Sequence, residues 1–530
     1  MTPAPTTTSH GLHGDHGNDQ ASVQSVKSVA GPSAAWADDT PVHPLLSRHA
    51  VAPLVETRAS KVIAKPVDEV FLHFWGSDPR LRLELHRDHV KGYSIHRETP
   101  DSLEYEFVFE AYGARSWGKA VEVAQRNRPA AEGGPRIDVE VLDGPLKGQT
   151  VTTLFKAVEG GTEVTQVNRV WPGDSDLMVR ILGKKLNARL TALAGVHLEQ
   201  HRHDLEGLER FQDRFSQEHQ RKLAEHGDSG FVDFLKTTRA VTLPVIVLPI
   251  LGAAALAARQ GVFDPLALVL TLVGGGAALL AANLLNDLYD FKGGADQSAR
   301  QVPGAIETGS GAFVEGRWSL KKGWLMTVAL FGVAALCGLA LAVLSTPLVL
   351  VYAFLGALIS YVYIGPPFPL AYKGRGLGEI CIFVAFGLLP VAGGVLAHGG
   401  TLTPEVWAVA SFFGLSSTLL LYHHHFLHWE ADKVAGKGSP VAILGPQGGA
   451  LVGMGLALGT SAVILATVLA LGLEPWTALA AAPPLLLLPR QAKVLAGDRS
   501  PPLMLKQMSA AFGAMMLTGL ALVLGLWLTA

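Results

Sequence analysis

The sequence Asn283-Leu-Leu-Asn-Asp287-Leu-Tyr-Asp290-Phe-Lys-Gly-Gly-Ala-Asp296 closes an apolar run that begins near Phe263. The run is long enough to predict a helix that crosses a bilayer. Asn283, Asp287 and Asp290 are spaced i, i+4 and i+7, so they share one face of that helix. Carboxylates at the end of a membrane helix are costly to hold, and this position therefore predicts a functional site.

The clustered carboxylates predict a bound cation, because like charges repel each other unless a counter-charge lies among them. Hard oxygen ligands suit Mg²⁺, which in proteins commonly accompanies phosphate groups. Lys292 and Arg300 follow the carboxylates and could contact such phosphates. The stretch therefore predicts a magnesium and phosphate site.

The composition divides the 530 residues into a polar segment, 1–238, and an apolar segment, 239–530. The net charge of −2 does not indicate a nucleic-acid partner. Both cysteines, Cys337 and Cys381, lie in apolar runs, which excludes a disulfide framework and a cysteine zinc site. The first forty residues lack an apolar core segment, so no signal peptide is expected.

The apolar segment contains nine runs of spanning length, of which the eighth is short and contains Pro483-Pro484. The nine runs lie near residues 240–258, 264–288, 323–344, 347–365, 377–397, 404–425, 448–472, 475–489 and 507–529. Lys and Arg are concentrated in the loops after the even-numbered runs, whereas the opposite side carries only Arg259. The positive-inside rule therefore predicts an all-α polytopic bundle of the cytoplasmic (inner) membrane, with its N-terminus in the cytoplasm.

A second polar cluster, HHHFLHWEADKVAGK at 423–437, ends the sixth run. We call the stretch at 283–296 the first motif and this cluster the second motif. Both motifs are predicted to lie on the same side of the membrane. His428 and Asp432 are spaced i, i+4 on a helix, and His425 lies one turn earlier. Two polar clusters facing one compartment predict a shared cavity between two helical halves.

The paired acidic motifs resemble those of the UbiA-type intramembrane prenyltransferases, and within them the 1,4-dihydroxy-2-naphthoate prenyltransferases of menaquinone and phylloquinone synthesis. Four blocks carry the resemblance: RAVTLPVIVLP at 239–249, NDLYDFKGGAD at 286–296, YIGPPFPLAYKGRGLGE at 363–379 and EADKVAGKGSPVAILG at 430–445. The resemblance implies nine transmembrane helices around a central cavity. It also implies that Mg²⁺ holds a prenyl diphosphate, whose prenyl group passes to an aromatic acceptor, a naphthoate in quinone synthesis.

The resemblance also implies roles for individual residues. The implied catalytic residues are Asp287, Asp290, Asp296, Glu430 and Asp432. The implied metal ligands are Asn283, Asp287, Asp290, Glu430 and Asp432. The expected substrate contacts are Asn283, Asn286, Lys292, Arg300, Tyr363, Lys373, Arg375, His425, His428, Lys433 and Lys437. His425 and His428 stand where many family members have Asn and Asp, and GKGSP at 436–440 lacks the family's usual Arg, so acceptor and prenyl length stay open.

Three alternatives remain open at this point. The acceptor could be a chlorophyll-type ring or a glycerol phosphate. The chain could instead be a non-catalytic, membrane-anchored lipid-binding or transfer protein. The histidines at 423–428 could belong to a membrane di-metal site, although such a site needs more histidines and only His398 remains in the apolar segment.

The polar segment predicts a disordered tail at 1–48, in which His10, His13 and His16 are solvated or bind metal weakly. Alternating residues from Thr57 predict a strand, and Lys65–Phe71 predicts a helix start. Further strands are expected at 103–110, 117–124, 136–142, 148–157 and 162–171, followed by a long amphipathic helix near 176–213.

This order of elements, with GGTEVTQVNRV at 160–170, resembles the START-like (helix-grip, SRPBCC) family. The resemblance implies an α+β domain over 50–215, with a curved sheet around a cavity for a lipid or quinone. Residues 216–238 are expected to form a helical linker to the membrane domain at 239–530.

Overall fold

The computed structural model describes residues 53–75, 90–111, 114–129, 133–144, 146–171, 230–294, 309–314 and 316–530, with residues 46 and 306 and parts of 191–207. The predicted tail, most of the predicted long helix and most of the linker lie outside the described residues. Asp296 and Arg300 also lie outside them.

The first described unit is a seven-stranded antiparallel sheet with one helix, α1 (Val67–Trp75). Its strands are β1 (Val55–Ile63), β2 (Val90–Glu98), β3 (Ser102–Ala111), β4 (Ala114–Gln125), β5 (Arg136–Asp143), β6 (Gln149–Val158) and β7 (Gly161–Val170). The spatial order is β1-β7-β6-β5-β4-β3-β2, so the first strand returns to pair with the last. This architecture is compatible with the START-like domain that the sequence predicts.

The core of this unit lies between α1 and one face of the sheet. Phe71 and Phe74 of α1 each contact the Phe155 ring edge-on, at centroid distances of 5.2 and 5.3 Å. Ile63 is fully buried in the same cluster, as is Leu198 from the helical residues near 200. Burial of these apolar side chains holds the helical elements against the sheet.

The second unit begins at Gly230 and is mainly helical in the residues that the structure describes. Its helices are α2 (Gly230–Thr237), α3 (Pro244–Arg259), α4 (Pro265–Gly293), α5 (Leu320–Leu344), α6 (Leu348–Ile364), α7 (Leu370–Lys373), α8 (Leu377–Ala397), α9 (Pro404–His424), α10 (Trp429–Val434), α11 (Pro440–Ala470), α12 (Leu488–Leu495) and α13 (Pro501–Leu528). The side chains of Asp264 and Ser319 cap the N-termini of α4 and α5. Pro follows the cap of α3, α4, α9, α11 and α13, where the missing N–H costs no intrahelical bond.

Seven helices of the described residues are long and apolar enough to cross a membrane. The fourth predicted span corresponds to α6, a shorter apolar helix of 17 residues. The eighth forms two 3₁₀ segments, Pro475–Ala481 and Pro483–Leu487, rather than an α-helix. The count of nine transmembrane helices is therefore not confirmed, although the all-α bundle is.

The outer surface of the bundle is apolar. Val343 and Leu325 of α5 are 87% and 70% exposed, and Leu469 at the end of α11 is 70% exposed. Such side chains find a favourable solvent in lipid, whereas in water they would form a large apolar patch. The protein is therefore an integral, multi-pass membrane protein.

The sheet contacts the bundle at the start of α13. Val108 of β3 and Trp117 of β4 are cross-strand partners, and both pack in one apolar cluster with Leu503 and Met504. The Lys506 ammonium lies 3.4 Å from the centroid of the Trp117 ring. The same cluster contains aromatic residues from the end of α9, so the sheet packs beside the second polar cluster.

Candidate active site at the ends of α4 and α9

The first motif occupies the last turns of α4, where Asp287 and Asp290 are 2% and 8% exposed. Asp287 Oδ1 lies 3.0 Å from Arg239 Nη2, and Asp287 Oδ2 accepts a hydrogen bond from the Ser310 backbone N–H at 3.0 Å. A buried carboxylate needs such partners, because desolvation without compensation costs several kcal/mol. Asp287 thus joins three separate segments of the chain.

Arg239 connects the beginning of α3 to the first motif. Its backbone is left-handed, with φ of 53°, and its guanidinium also donates to the Asn283 carbonyl at 3.1 Å. The Asn283 side-chain amide donates in return to the Thr238 carbonyl at 2.9 Å and to Thr242 Oγ1 at 3.0 Å. Asn283 therefore has its amide nitrogen engaged and presents only its oxygen as a possible metal ligand.

A network of hydrogen bonds and one ion pair connects the Ser310 partner of Asp287 to α2. Arg317 donates to the Ser310 carbonyl at 2.8 Å and forms an ion pair with Asp233. The Trp318 indole N–H donates to the other oxygen of Asp233 at 2.6 Å. This network fixes the loop that supplies the Ser310 N–H to Asp287.

Asp290 contacts residues of two other sequence blocks. The Tyr372 hydroxyl donates to Asp290 Oδ1 at 2.7 Å, and the Asn286 amide donates to Oδ2 at 3.1 Å. Lys437 Nζ lies 3.9 Å from Oδ2, and it also lies 5.2 Å from the centroid of the Tyr372 ring. Lys437 belongs to the second motif, so the structure brings the two motifs together at Asp290.

Charges at this junction shift the proton affinities of both partners. Although burial acts to lower it, the Asp290 and Asp432 carboxylates raise the pKa of Lys437 above its ordinary value. Burial, and next the Asp290 charge, raise the pKa of the Tyr372 hydroxyl, which therefore stays a donor at neutral pH. At this junction the Lys437 ammonium and the Tyr372 hydroxyl both face the Asp290 carboxylate.

A close approach of two glycines positions these groups. Gly438 N–H donates to the Tyr372 carbonyl at 3.2 Å, and Gly374 has φ of 72°. A Cβ at Gly374 would lie 2.7 Å from the Gly438 carbonyl oxygen, and one at Gly438 would lie 3.1 Å from Gly374 Cα. Gly438 stands where the sequence lacks the family's usual Arg, and the tight contact explains why a small residue fits there.

The second motif begins at the last turn of α9 and continues into α10. His425 Nε2 lies 3.1 Å from Glu379 Oε1 at the start of α8, and His428 Nε2 lies 3.5 Å from Asp432 Oδ2. Asp432 is 4% exposed, and burial raises the pKa of its carboxyl above the ordinary value. Glu430 is half-buried on the same short helix.

The donor set fits a hard divalent cation. Among the described residues, Asp287 Oδ1 and Asp432 Oδ2 are buried oxygens that accept no hydrogen bond, although Arg239 and His428 approach them. Buried carboxylate oxygens of this kind are satisfied by a coordinated ion. The carboxylates at 287, 290, 379, 430 and 432 also outnumber the two partly buried cations, Arg239 and Lys437.

Most of the other expected substrate contacts are exposed side chains. The Lys292 ammonium lies 5.0 Å from the Trp324 ring centroid, and that of Lys373 lies 5.7 Å from the Phe368 centroid. Both lysines are exposed, and neither forms an ion pair within the described part of the chain. Lys433 and Arg375 are also exposed. Tyr363 is half-buried beside Gly378. It lies close enough to Lys437, Glu379 and Asp290 to interact with their charges, so the structure brings it to the site.

The sequence predicts no site role for Glu379, Arg239 or Ser310. A carboxylate at the start of an apolar run, as at Glu379, is a signal that the spacing argument could have used. The Arg239 and Ser310 contacts offer no such signal, because they depend on loop packing. His423 proves to be a packing residue: Nδ1 bonds to the Leu419 carbonyl and Nε2 to Gln491, at 2.8 and 2.7 Å.

The apolar segment is similar to proteins of known family. The model of the UbiA prenyltransferase family matches residues 246–512. The chain is 30% identical to the 1,4-dihydroxy-2-naphthoate octaprenyltransferase of Escherichia coli over 304 residues, which cover 56% of this chain and 95% of that protein. It is 29% identical to the 2-carboxy-1,4-naphthoquinone phytyltransferase of Synechocystis over 241 residues, 44% of this chain and 73% of that protein.

It is also 30% identical to the chloroplastic 2-carboxy-1,4-naphthoquinone phytyltransferase of Arabidopsis thaliana over 226 residues, although these span only 56% of that relative. Among solved structures, a UbiA homolog from Archaeoglobus fulgidus bound to GPP and Mg²⁺ aligns at a TM-score of 0.39 and 17% identity, over 55% of this chain and 99% of that one. The chain belongs to the UbiA prenyltransferase family.

Proposed function

We propose that this prenyltransferase moves a prenyl group from a prenyl diphosphate to an aromatic acceptor of the naphthoate class, in a Mg²⁺-dependent reaction. The observation that carries the proposal is the junction of Asp290 with Tyr372 and Lys437, which joins the two acidic motifs. The names of the naphthoate relatives support the acceptor class.

Both motifs would hold the metal. The proposed ligands are Asn283, Asp287, Asp290, Glu430 and Asp432, and Asp296 is proposed as a further catalytic carboxylate. When bound, Mg²⁺ offsets the negative charge that grows on the departing diphosphate. The carboxylate oxygens at Asp287 and Asp432 that accept no hydrogen bond support this assignment.

The chain's own cations would hold the diphosphate. Lys437 and Arg239 already lie against the motif carboxylates, at 3.9 and 3.0 Å. Charged donors in a buried site stabilise a leaving anion more strongly than they would in water. Lys292, Arg300, Lys373 and Lys433 remain proposed contacts for the outer phosphate oxygens.

Aromatic rings would stabilise the allylic cation that forms as the diphosphate leaves. Tyr289 contacts the Trp324 and Tyr361 rings at 5.7 and 6.3 Å between centroids, close to the first motif on α4. A ring face attracts a cation, and the apolar helices keep water from it. Tyr363, His425 and His428 would line the acceptor side, with Arg375 as partner for a naphthoate carboxylate that leaves as CO₂.

The remaining organisation is also proposed. The membrane domain would occupy the cytoplasmic membrane, with the polar segment in the cytoplasm beside the active site. Residues 50–215 would form a START-like domain that binds a lipid or quinone, tethered by residues 216–238. Contact between the sheet and α13 supports this placement.

A reconstituted assay tests the proposal. The full chain in lipid vesicles would receive one labelled prenyl diphosphate and a panel of acceptors, with Mg²⁺ or with chelator. A prenylated naphthoate product that requires Mg²⁺ supports the proposal. Transfer to a chlorophyll-type ring or a glycerol phosphate alone would correct the acceptor. No diphosphate release with any acceptor would favour a non-catalytic lipid-binding protein.

A further inference from the structure

Three histidines meet at the end of α9, at a distance from one another that suits a shared ion. One ring nitrogen from each of His424, His425 and His428 lies within 4.8 Å of the others. The His424 and His428 rings are the closest, with centroids 4.8 Å apart. His425 and His428 are buried, whereas His424 is half-buried. Magnesium prefers oxygen ligands, so this cluster has the wrong chemistry for the proposed magnesium site.

A carboxylate orients one of these rings, and a second carboxylate lies near another. His425 Nε2 lies 3.1 Å from Glu379 Oε1, and an ionised carboxylate can only accept, so Nε2 carries the proton. Its Nδ1 is then a lone-pair nitrogen, and it is buried with no hydrogen-bond partner among the described residues. His428 Nε2 lies 3.5 Å from Asp432 Oδ2, an oxygen that accepts no hydrogen bond among the described residues. Metal-binding histidines commonly have this outer carboxylate, which fixes the tautomer and makes the ring a better donor.

We propose that His424, His425 and His428 bind one divalent transition ion of the zinc class, separate from the magnesium site. Imidazole nitrogens suit Zn²⁺ and Co²⁺, and three of them with one open position form a common coordination set. Glu379 acts as the positioning residue for the His425 ring. The site lies where the first motif meets the second, so an ion there holds the α9–α10 turn that carries Asp432.

Cobalt is the probe for this site, because its ligand-field absorption reports the donor atoms. The full chain is purified with a tag free of histidine, stripped with chelator and titrated with Co²⁺. We expect one bound equivalent, displaced by Zn²⁺. X-ray absorption of the Co²⁺-loaded protein should show nitrogen ligands near 2.0–2.1 Å, as in zinc sites. A shell of oxygen ligands only would overturn the proposal, because it would assign the ion to the carboxylates.

Substitutions of the histidines and of Glu379 test which side chains bind the ion. His424→Gln and His428→Gln should each weaken Co²⁺ binding at least 10-fold, and Glu379→Gln should weaken it about 10-fold through the His425 ring. His398→Gln, in the capping turn after α8, and a chain with His10, His13 and His16 changed to Ala are the controls and should keep the bound equivalent. Loss of the equivalent in the tail variant alone, or its retention in both His424→Gln and His428→Gln, would overturn the site. Size-exclusion elution checks the fold of each variant. If a variant fails to fold, the absorption spectrum of the unaltered chain still tests the site.

The proposal stands apart from prenyl transfer. A chain that binds Co²⁺ through nitrogen but transfers no prenyl group would remove the proposed function and keep this site. A chain that transfers the prenyl group but binds no ion through nitrogen would keep the proposed function and remove this site.

Discussion

Lys437 is the residue on which the junction between the two motifs depends. It is 13% exposed, and it supplies the positive charge shared by Asp290 and Asp432. Its Nζ lies 3.9 Å from Asp290 Oδ2, too far for a strong hydrogen bond. We interpret it as a contact for the diphosphate as well as a partner for the carboxylates.

We predict that Lys437→Met lowers the turnover of prenyl transfer about 100-fold, which is typical for removal of one preorganised donor from an active site. The reason is that the leaving diphosphate loses a buried cation. Steady-state kinetics with varied prenyl diphosphate measures the effect. Lys493→Met, an exposed lysine of α12, is the matched control. Equal activity of the two variants would contradict the role of Lys437.

We expect the ionised Asp432 carboxylate to support activity but to lower the stability of the metal-free protein. Burial raises the pKa of its carboxyl in the folded chain, so protonation favours folding. Its contribution to stability is therefore most favourable below the unfolded pKa, and it declines as the pH rises through the folded pKa. Asn resembles the protonated carboxyl but does not ionise.

We expect Asp432→Asn to raise the unfolding temperature of the metal-free protein at neutral pH, on the order of 2 °C per kcal/mol, while transfer activity falls. The gain should shrink as the pH falls through the raised pKa. Mg²⁺ should stabilise the unaltered chain more than the variant. Asp498→Asn, at an exposed loop position, serves as control. A variant less stable than the unaltered metal-free chain at neutral pH would contradict this account.

At the scale of elements, the active site depends on the close approach of α8 and α9. Gly387 lies in a π-helical segment of α8, and a Cβ there would lie 2.5 Å from Gly414 Cα. Backbone atoms cannot move aside as a flexible side chain can. The small residues therefore set the separation of the helices that carry Glu379 and His425.

We predict that Gly387→Ala destabilises the protein by about 1–3 kcal/mol, the usual cost of overpacking. Thermal unfolding in detergent measures the effect. Gly332→Ala, with open space around its Cβ, should be neutral. Equal unfolding temperatures for the two variants would contradict the claim that backbone atoms limit the separation of α8 and α9.

The elements themselves were largely predictable, and the exceptions have physical reasons. The strands after residue 100 alternate apolar and polar residues, as half-buried strands do. Strand β2 was not predicted, because it is an edge strand whose charged residues hide that alternation. The run at 475–489 forms 3₁₀ segments because Pro475, Pro483 and Pro484 remove the N–H groups an α-helix needs.

The site was predictable only in part. The spacing of Asp287 and Asp290 placed them on one helix face, and the loop charges placed both motifs on one side. The partners of those carboxylates depend on contacts between distant segments, such as Arg239 with its left-handed backbone and the Gly374–Gly438 contact. No local pattern encodes such contacts, so the partners of Asp287 could be placed only by the fold.

For the whole molecule, the sheet and the bundle meet at one apolar contact. Val108 is fully buried there, beside Trp117 and the first residues of α13. The contact lies next to the α9–α10 turn, because Phe426, Leu427 and Trp429 pack in the same apolar cluster.

We predict that Val108→Asp separates the sheet from the bundle, because an unpaired buried charge costs several kcal/mol. Hydrogen exchange of the backbone amides of residues 503–508 should then increase about 10-fold or more. Val62→Asp, at a 47% exposed position of β1, should leave that exchange unchanged. Identical exchange in the two variants would show that Val108 does not hold the contact.

The most direct test of the central claim is prenyl transfer by purified Asp287→Ala and Asp290→Ala proteins at saturating Mg²⁺. The account predicts that each variant loses at least about 100-fold in turnover, because each lacks a carboxylate proposed to bind the ion that stabilises the diphosphate. Near-normal turnover in both variants would contradict it.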